Sequence, residues 1–223
     1  MSEKENLKAQ MFKQGPLHDQ RFELIKQFKL IGLKNGDILY RASNALGPLG
    51  IPFSRLVAKL TNSKYSHAAL VFFENDEIQV LEINDQGTLR YRMLDWLDTC
   101  FTSHMAIYRL KDLTDEQENK LYEQIKKFLE DDPEYDFTFS DPKKFYCTES
   151  VIEIYKRALG IQLVPGDYIY EAVPRWKYVL MRIGSFISAF FGASLPFNER
   201  LFYPGTDKKG MIASEFTYKV FEI

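Results

Sequence analysis

Starting at Cys147, apolar residues return at offsets of four, seven and eleven as Val151, Ile154 and Ala158, so one helical stripe begins with the sulfur. Glu149, Glu153, Lys156 and Arg157 fill the opposite face, Glu153 stands four residues before Arg157 in the favourable order, and Gly160 supplies the stop. Upstream the period shortens to two. "YSHAALVFF" and "EIQVLEIN" are rich in β-branched and aromatic residues and flank a polar tip at Asn75-Asp76. That pattern predicts a hairpin in which Phe73 faces Ile78, Val71 faces Val80 and His67 faces Asn84. A loop of odd length would set Ile83 or Asp85 opposite His67 instead.

Around these elements, "GLKNGDILYRAS" turns through Asn35-Gly36-Asp37 into a strand from Ile38, and "GTLRYRM" and "HMAIYRL" are further strands with a helical stretch near Leu94 to Asp98 between them. "LTDEQENKLYEQIKKFLEDD" reads as a long amphipathic helix with Thr114 and Gln117 as its capping box, and Ser54 caps a short helix running to Asn62. Residues 1–33 form a polar helical lead-in that docks through Phe22, Ile25 and Phe28. Residues 34–174 form the main domain. Residues 175–223 hold an apolar helical segment, packed on or covering that domain, and a tail, "EFTYKVFEI", that alternates like an edge strand. Strands flanked by helices in this order place the chain in the α+β class.

Composition narrows the function. A hydrophobic fraction of 45% and a charged fraction of 27% are globular values, and a net charge of −2 gives no electrostatic reason to expect nucleic acid. Aromatic residues at 15% argue against disorder. Two cysteines are too few for a disulfide framework and are not spaced for zinc, which favours a reducing compartment. The opening "MSEKENLKAQMFKQGPLHDQRF" lacks the apolar core of a secretory signal, and no run of about 18 uncharged apolar residues is present, so a cytoplasmic protein is expected.

The candidate chemistry sits on two of these elements. His67, Glu82 and Asn84 share one face of the hairpin, with Glu82 diagonal to His67, and an imidazole beside an orienting partner is what a nucleophile-activating base requires. Cys147 faces inward, either as a small buried hydrophobe or as a nucleophile. If its helix starts near Tyr146, the Cys147 amide has no partner within the helix and the positive helix end favours a thiolate and an oxyanion. If Asp141 caps and Pro142 opens the helix, that amide is already used. Of the other histidines, His18 reads as solvated and His104 as a strand-end residue. Cys100 reads as structural, and Asp37 as fixing a turn. His67, Glu82, His104 and Cys147 are all ligand types but lack tight spacing, so neither a metal nor another cofactor is expected.

"NGDILYR", "YSHAALVF", "VLEIN", "YDFTF" and "FYCTESV", in that order between about Gly36 and Gly160, resemble the permuted papain-fold hydrolases of the NlpC superfamily, in particular the YiiX/YaeF-type amidases. The resemblance implies a circularly permuted papain-like fold, an antiparallel sheet packed against helices that include the one carrying the nucleophilic cysteine. It implies a catalytic domain over 34–174, Cys147 as nucleophile, His67 as base and Glu82 as the residue orienting the imidazole. Tyr65, Ser66, Asn84, Tyr135 and Tyr146 are the residues expected to line the substrate cleft.

The function expected is a cysteine hydrolase that cleaves an amide, in a peptide or a small molecule, through an acyl-enzyme. Two alternatives are a thiol acyltransferase or lipid hydrolase of the lecithin:retinol acyltransferase-like type, and a non-catalytic binding module on the same fold. The lipid alternative draws on "RWKYVLMRIGSFISAFF", where a wide apolar face beside Lys177 and Arg182 suits peripheral membrane contact through residues 176–191. Those relatives, however, typically carry histidine where Glu82 stands.

Overall fold

The computed structural model describes residues 16–42, 58–100, 103–136, 141, 143–179 and 200–223. Asn75 and Asp76, both left-handed at φ 51° and 63°, make the tight turn expected at the hairpin tip. The strands are β1 (Ile38–Arg41), β2 (His67–Glu74), β3 (Glu77–Asn84), β4 (Gly87–Arg92), β5 (Met105–Leu110), β6 (Asp167–Tyr168), β7 (Arg200–Leu201) and β8 (Thr217–Glu222). Six of them form an antiparallel sheet in the order β4-β3-β2-β1-β5-β8, while β6 and β7 pair separately. The expected register holds at Val71↔Val80 and Phe73↔Ile78.

Both faces of the sheet are covered, which explains why β1 and β2 read as nearly continuous apolar runs. On one face Ile38, Tyr40, Leu70, Phe72, Leu81 and Ile83 pack beneath α3 (Asp115–Asp131) and α4 (Cys147–Leu159). On the other, Leu39, Ala69, Val71, Val80 and Ile107 pack against α1 (Arg21–Leu30) and α2 (Met93–Asp98). A last short helix, α5 (Ile169–Ala172), follows β6. Helix α3 opens with the expected Thr114/Gln117 capping box and buries Leu121, Ile125 and Phe128, each fully buried side chain contributing about 1.5–3 kcal/mol.

The lead-in departs from expectation. Helix α1 docks through Leu24 and Phe28, joined by Leu17, whereas Phe22 is 59% exposed. Phe22 lies six positions before Phe28, about 240° round the helix, and so points away from the sheet when Phe28 points in. Residues 58–61 are helical and end at Asn62 in the left-handed region, while the capping Ser54 lies outside the described residues. Of the apolar segment from Arg175, only 175–179 is described. It is helical, with Trp176 63% exposed, and Lys177 Nζ donates to the Lys59 carbonyl at 2.6 Å and to Asn62 Oδ1 at 2.9 Å. The tail forms β8 at the sheet edge. Among the described residues no helix is long and apolar enough to cross a membrane.

The turn before β1 is a closed knot. Gly36 has φ 89°, and a Cβ there would meet Leu121 Cδ1 at 2.5 Å, so only glycine fits. Its carbonyl accepts from Tyr155 Oη at 2.7 Å. Asp37, fully buried, accepts from Arg109 Nε and Nη2, both at 2.8 Å, and from the Lys34 amide at 2.9 Å. This end of β1 is structural, as the turn reading of Asp37 anticipates.

Candidate active site

The site lies at the other end of β1 and β2. The ladder between β2 and β3 runs only from Glu74↔Glu77 to Leu70↔Leu81, although β2 begins at His67 and β3 continues to Asn84. Alternation places His67 and Glu82 on the α2 face, in phase with Ala69, Val71 and Val80, while Cys147 enters from the α4 face. The two sides meet where the ladder has stopped. There the backbone N–H of Ala68 reaches the Cys147 sulfur.

Glu82 is the hub. Its Oε2 accepts from Arg41 Nη2 at 2.8 Å and Trp96 Nε1 at 2.5 Å, and its Oε1 accepts from Asn84 Nδ2 at 2.9 Å. His67 Nε2 stands 3.2 Å from the same Oε2 but without hydrogen-bond alignment, so charge joins the pair more than a directed bond does. With Nε2 turned to Glu82, Nδ1 is the nitrogen left for Cys147. Burial pushes the Glu82 carboxyl up, yet the Arg41 and His67 charges and the hydrogen bonds overcome it and hold the acid below its usual range. Burial likewise pushes the His67 imidazole down, but Glu82 and the Cys147 sulfur raise it, to about 9.

Helix α4 begins at Cys147, with Tyr146 as N-cap in extended conformation at φ −103° and ψ 170°. The start near Tyr146 is therefore realised. The alternative fails because Asp141 closes its own small turn, its side chain accepting from the Lys143 amide at 3.0 Å and its carbonyl from the Lys144 amide at 3.2 Å. Cys147 is 8% exposed, against 1% for Cys100. Burial raises its thiol, but His67 and the backbone N–H groups of Ala68 and Thr148 outweigh that and leave it below its ordinary value.

The other candidates divide. Tyr135 packs against the core cluster that includes Cys147, whose charge adds to burial in pushing its hydroxyl upward. Asn84 holds Glu82. Tyr65 and Tyr146 spend their hydroxyls within the fold, Tyr65 donating to Glu222 Oε1 at 2.9 Å and Tyr146 accepting from the Phe202 amide at 2.7 Å. Ser66 is buried, and its amide donates to the Arg41 carbonyl at 3.0 Å. His18 is not solvated as expected but bonds Asp98 at 2.7 Å, because α1 packs on α2. Cys100 is buried and accepts from Arg41 Nη1 at 3.3 Å. The sequence reading missed Arg41 and Trp96. A signal existed: Arg41 closes "DILYR" in phase with inward Leu39, and a charge at the inward position of an apolar strand calls for a buried partner.

Glu149 also departs from its expected exposed face. Its Oε2 is buried with no hydrogen-bond partner among the described residues, and burial, then the nearby Asp136 and Glu153 charges, outweigh the Tyr146 amide and raise its carboxyl to about 7. An acid whose folded pKa exceeds its ordinary 4.5 costs stability as pH rises from 4.5 to about 7, and the full penalty persists above. Glu149→Gln should therefore raise Tm at pH 8 by roughly 3–5 °C, allowing for partial solvent screening, and leave it nearly unchanged at pH 4. Equal shifts at both pH values in thermal unfolding would contradict this.

A family model described as "Permuted papain-like amidase enzyme, YaeF/YiiX, C92 family" matches residues 32–174. The uncharacterized protein YiiX of Escherichia coli (strain K12) is 26% identical over 173 residues, covering 77% of this chain and 79% of its own. The crystal structure of metalloprotein yiiX from Escherichia coli O157:H7 shares the fold with a TM-score of 0.66 at 21% identity, over 85% of this chain and 97% of that one. Histidine on the second strand, acid on the third, cysteine at the mouth of a later helix, and a family match over well more than half of the chain agree: this protein belongs to the permuted papain-like amidases of the YaeF/YiiX type.

Proposed function

We propose that the protein is a thiol amidase that opens an acyl–nitrogen bond through an acyl-enzyme on Cys147. One observation carries this: Cys147, at the first position of α4, is paired with an imidazole that is itself backed by a buried carboxylate in contact with Arg41. His67 takes the Cys147 proton, and the thiolate attacks the carbonyl carbon. The oxyanion then takes up the Cys147 amide, which has no acceptor within the helix and sits at its positive end. His67 returns the proton to the nitrogen as the C–N bond breaks, and the amine leaves. A water that gives its proton to His67 cleaves the thioester, releases the acid and restores the thiol. Glu82 holds the imidazole throughout.

The solved relative is named a metalloprotein. In this chain no three His, Cys, Asp or Glu side chains among the described residues gather to hold a metal ion, and the Glu82 carboxylate already faces the Arg41 cation. The described residues do not fit a metal, and no step runs through one.

The test is the rate of iodoacetamide alkylation at Cys147 from pH 4 to 10, followed on its peptide by mass spectrometry. The expected profile has a reactive plateau well below the ordinary thiol pKa of about 8.5, lost in His67→Ala. A rate that rises only near that pKa, and is indifferent to His67, would overturn the proposal.

A further inference from the structure

We propose that Arg41 is a positioning residue for the Cys147–His67 pair, keeping the buried Glu82 carboxylate ionised and aimed at the imidazole. This role rests on the thiol-amidase chemistry proposed above. Arg41 is 4% exposed and lies on the same sheet face as His67 and Glu82. Its planar fork works in two directions. Nη2 donates to Glu82 Oε2 at 2.8 Å, while Nη1 donates to the Trp96 carbonyl at 3.2 Å, Thr99 Oγ1 at 2.8 Å and Cys100 Sγ at 3.3 Å, all at the end of α2. The guanidinium carbon also sits 4.2 Å over the Trp96 ring, and the Trp96 indole donates to the same Oε2. Arg41 thus ties sheet, helix and carboxylate into one rigid unit, which sets where Oε2 points.

Charge makes the second half of the case. The groups facing this cluster are Arg41 from β1, Glu82 and Asn84 from β3, Tyr91 from β4, Trp96, Thr99 and Cys100 from α2 and the turn after it, and Cys147 from α4, with Asp85 and Asp98 farther out. Burial raises both Tyr91 and Cys100, so neither adds a charge at neutral pH. Once His67 holds the Cys147 proton, the charges in the cluster alternate as Arg41 positive, Glu82 negative, His67 positive and Cys147 negative, and sum to zero. Removing Arg41 leaves Glu82 with two neutral donors, Trp96 on Oε2 and Asn84 on Oε1, and with His67 as the one cation still beside it, a weaker setting in which burial favours the protonated acid. A neutral Glu82 no longer supports the imidazolium, and the thiolate is lost with it.

The experiment repeats the Cys147 alkylation profile on Arg41→Gln and Arg41→Lys beside the wild type, with folding checked by circular dichroism. Arg41→Gln keeps a hydrogen-bond donor but no charge, and its acid limb should move up by about one pH unit or more. Arg41→Lys keeps the charge, so its acid limb should stay near that of the wild type. One nitrogen, however, cannot reach both Glu82 and the end of α2, so its plateau rate should fall by about tenfold. A folded Arg41→Gln with the wild-type profile overturns the proposal. Should Arg41→Gln fail to fold, Arg41→Lys decides alone, and an unchanged plateau overturns it. Absence of a low-pH plateau in the wild type would instead reject the amidase chemistry, so the two failures are distinguishable.

Discussion

In Cys147→Ala, amide hydrolysis should fall to the uncatalysed rate, and in His67→Ala it should drop by about two to four orders of magnitude, measured as amine release across a panel of peptide and N-acyl amides. The asymmetry follows from the roles. Without the sulfur no acyl-enzyme forms, whereas without the imidazole the thiol still ionises near its ordinary pKa and the helix end still offers its amide. Cys147→Ala removes one atom, so its loss of activity should come with a nearly unchanged Tm, whereas His67→Ala removes a buried ring and its pairing with Glu82, so its Tm should fall and its activity is compared at a temperature where it is folded. Activity in His67→Ala within a fewfold of wild type would remove the histidine from the mechanism.

The largest effect on stability is expected at the opposite end of β1. Asp37→Ala strands the Arg109 guanidinium, which is 12% exposed, together with the Lys34 amide that Asp37 also accepts. Burial raises the Asp37 carboxyl even against Arg109 and the Lys34 amide, so the pair itself gives little net stability, and the damage lies in what is left unpaired. The cost should be about 3 kcal/mol, a fall in Tm of roughly 6–12 °C for a chain of this size. Adding Arg109→Met should recover part of that loss, because it removes the orphaned charge. A double variant less stable than Asp37→Ala would show instead that the pair is needed for its own attraction.

Much of this protein was legible locally. The Asn75-Asp76 turn and the two apolar runs beside it set the hairpin register, since a two-residue turn of left-handed residues leaves a single pairing. That register alone places His67, Glu82 and Asn84 on one face. The Thr114/Gln117 box and the stripe from Cys147 likewise depend only on neighbours within one helix, where contact follows from spacing. Helix α1 shows the limit of such reasoning. Phe22, Leu24, Ile25 and Phe28 are all apolar, and which of them dock depends on where the sheet lies, which no local period encodes.

What the sequence by itself determined is the six strands of the large sheet and the helices that cover it, the hairpin register and the three residue types that the chemistry needs, because each follows from contacts between near neighbours or from a strand period of two. Only the tertiary structure decided that these residues meet, that Tyr146 rather than Asp141 caps the Cys147 helix, and that Arg41 and Trp96 close the carboxylate's shell. Arg41 and Glu82 are 41 residues apart, and Trp96 reaches Glu82 across 14. Contacts of that separation arise from how a sheet and its covering helices pack, and a buried charge reveals its partner only once the strands that carry both have been laid side by side.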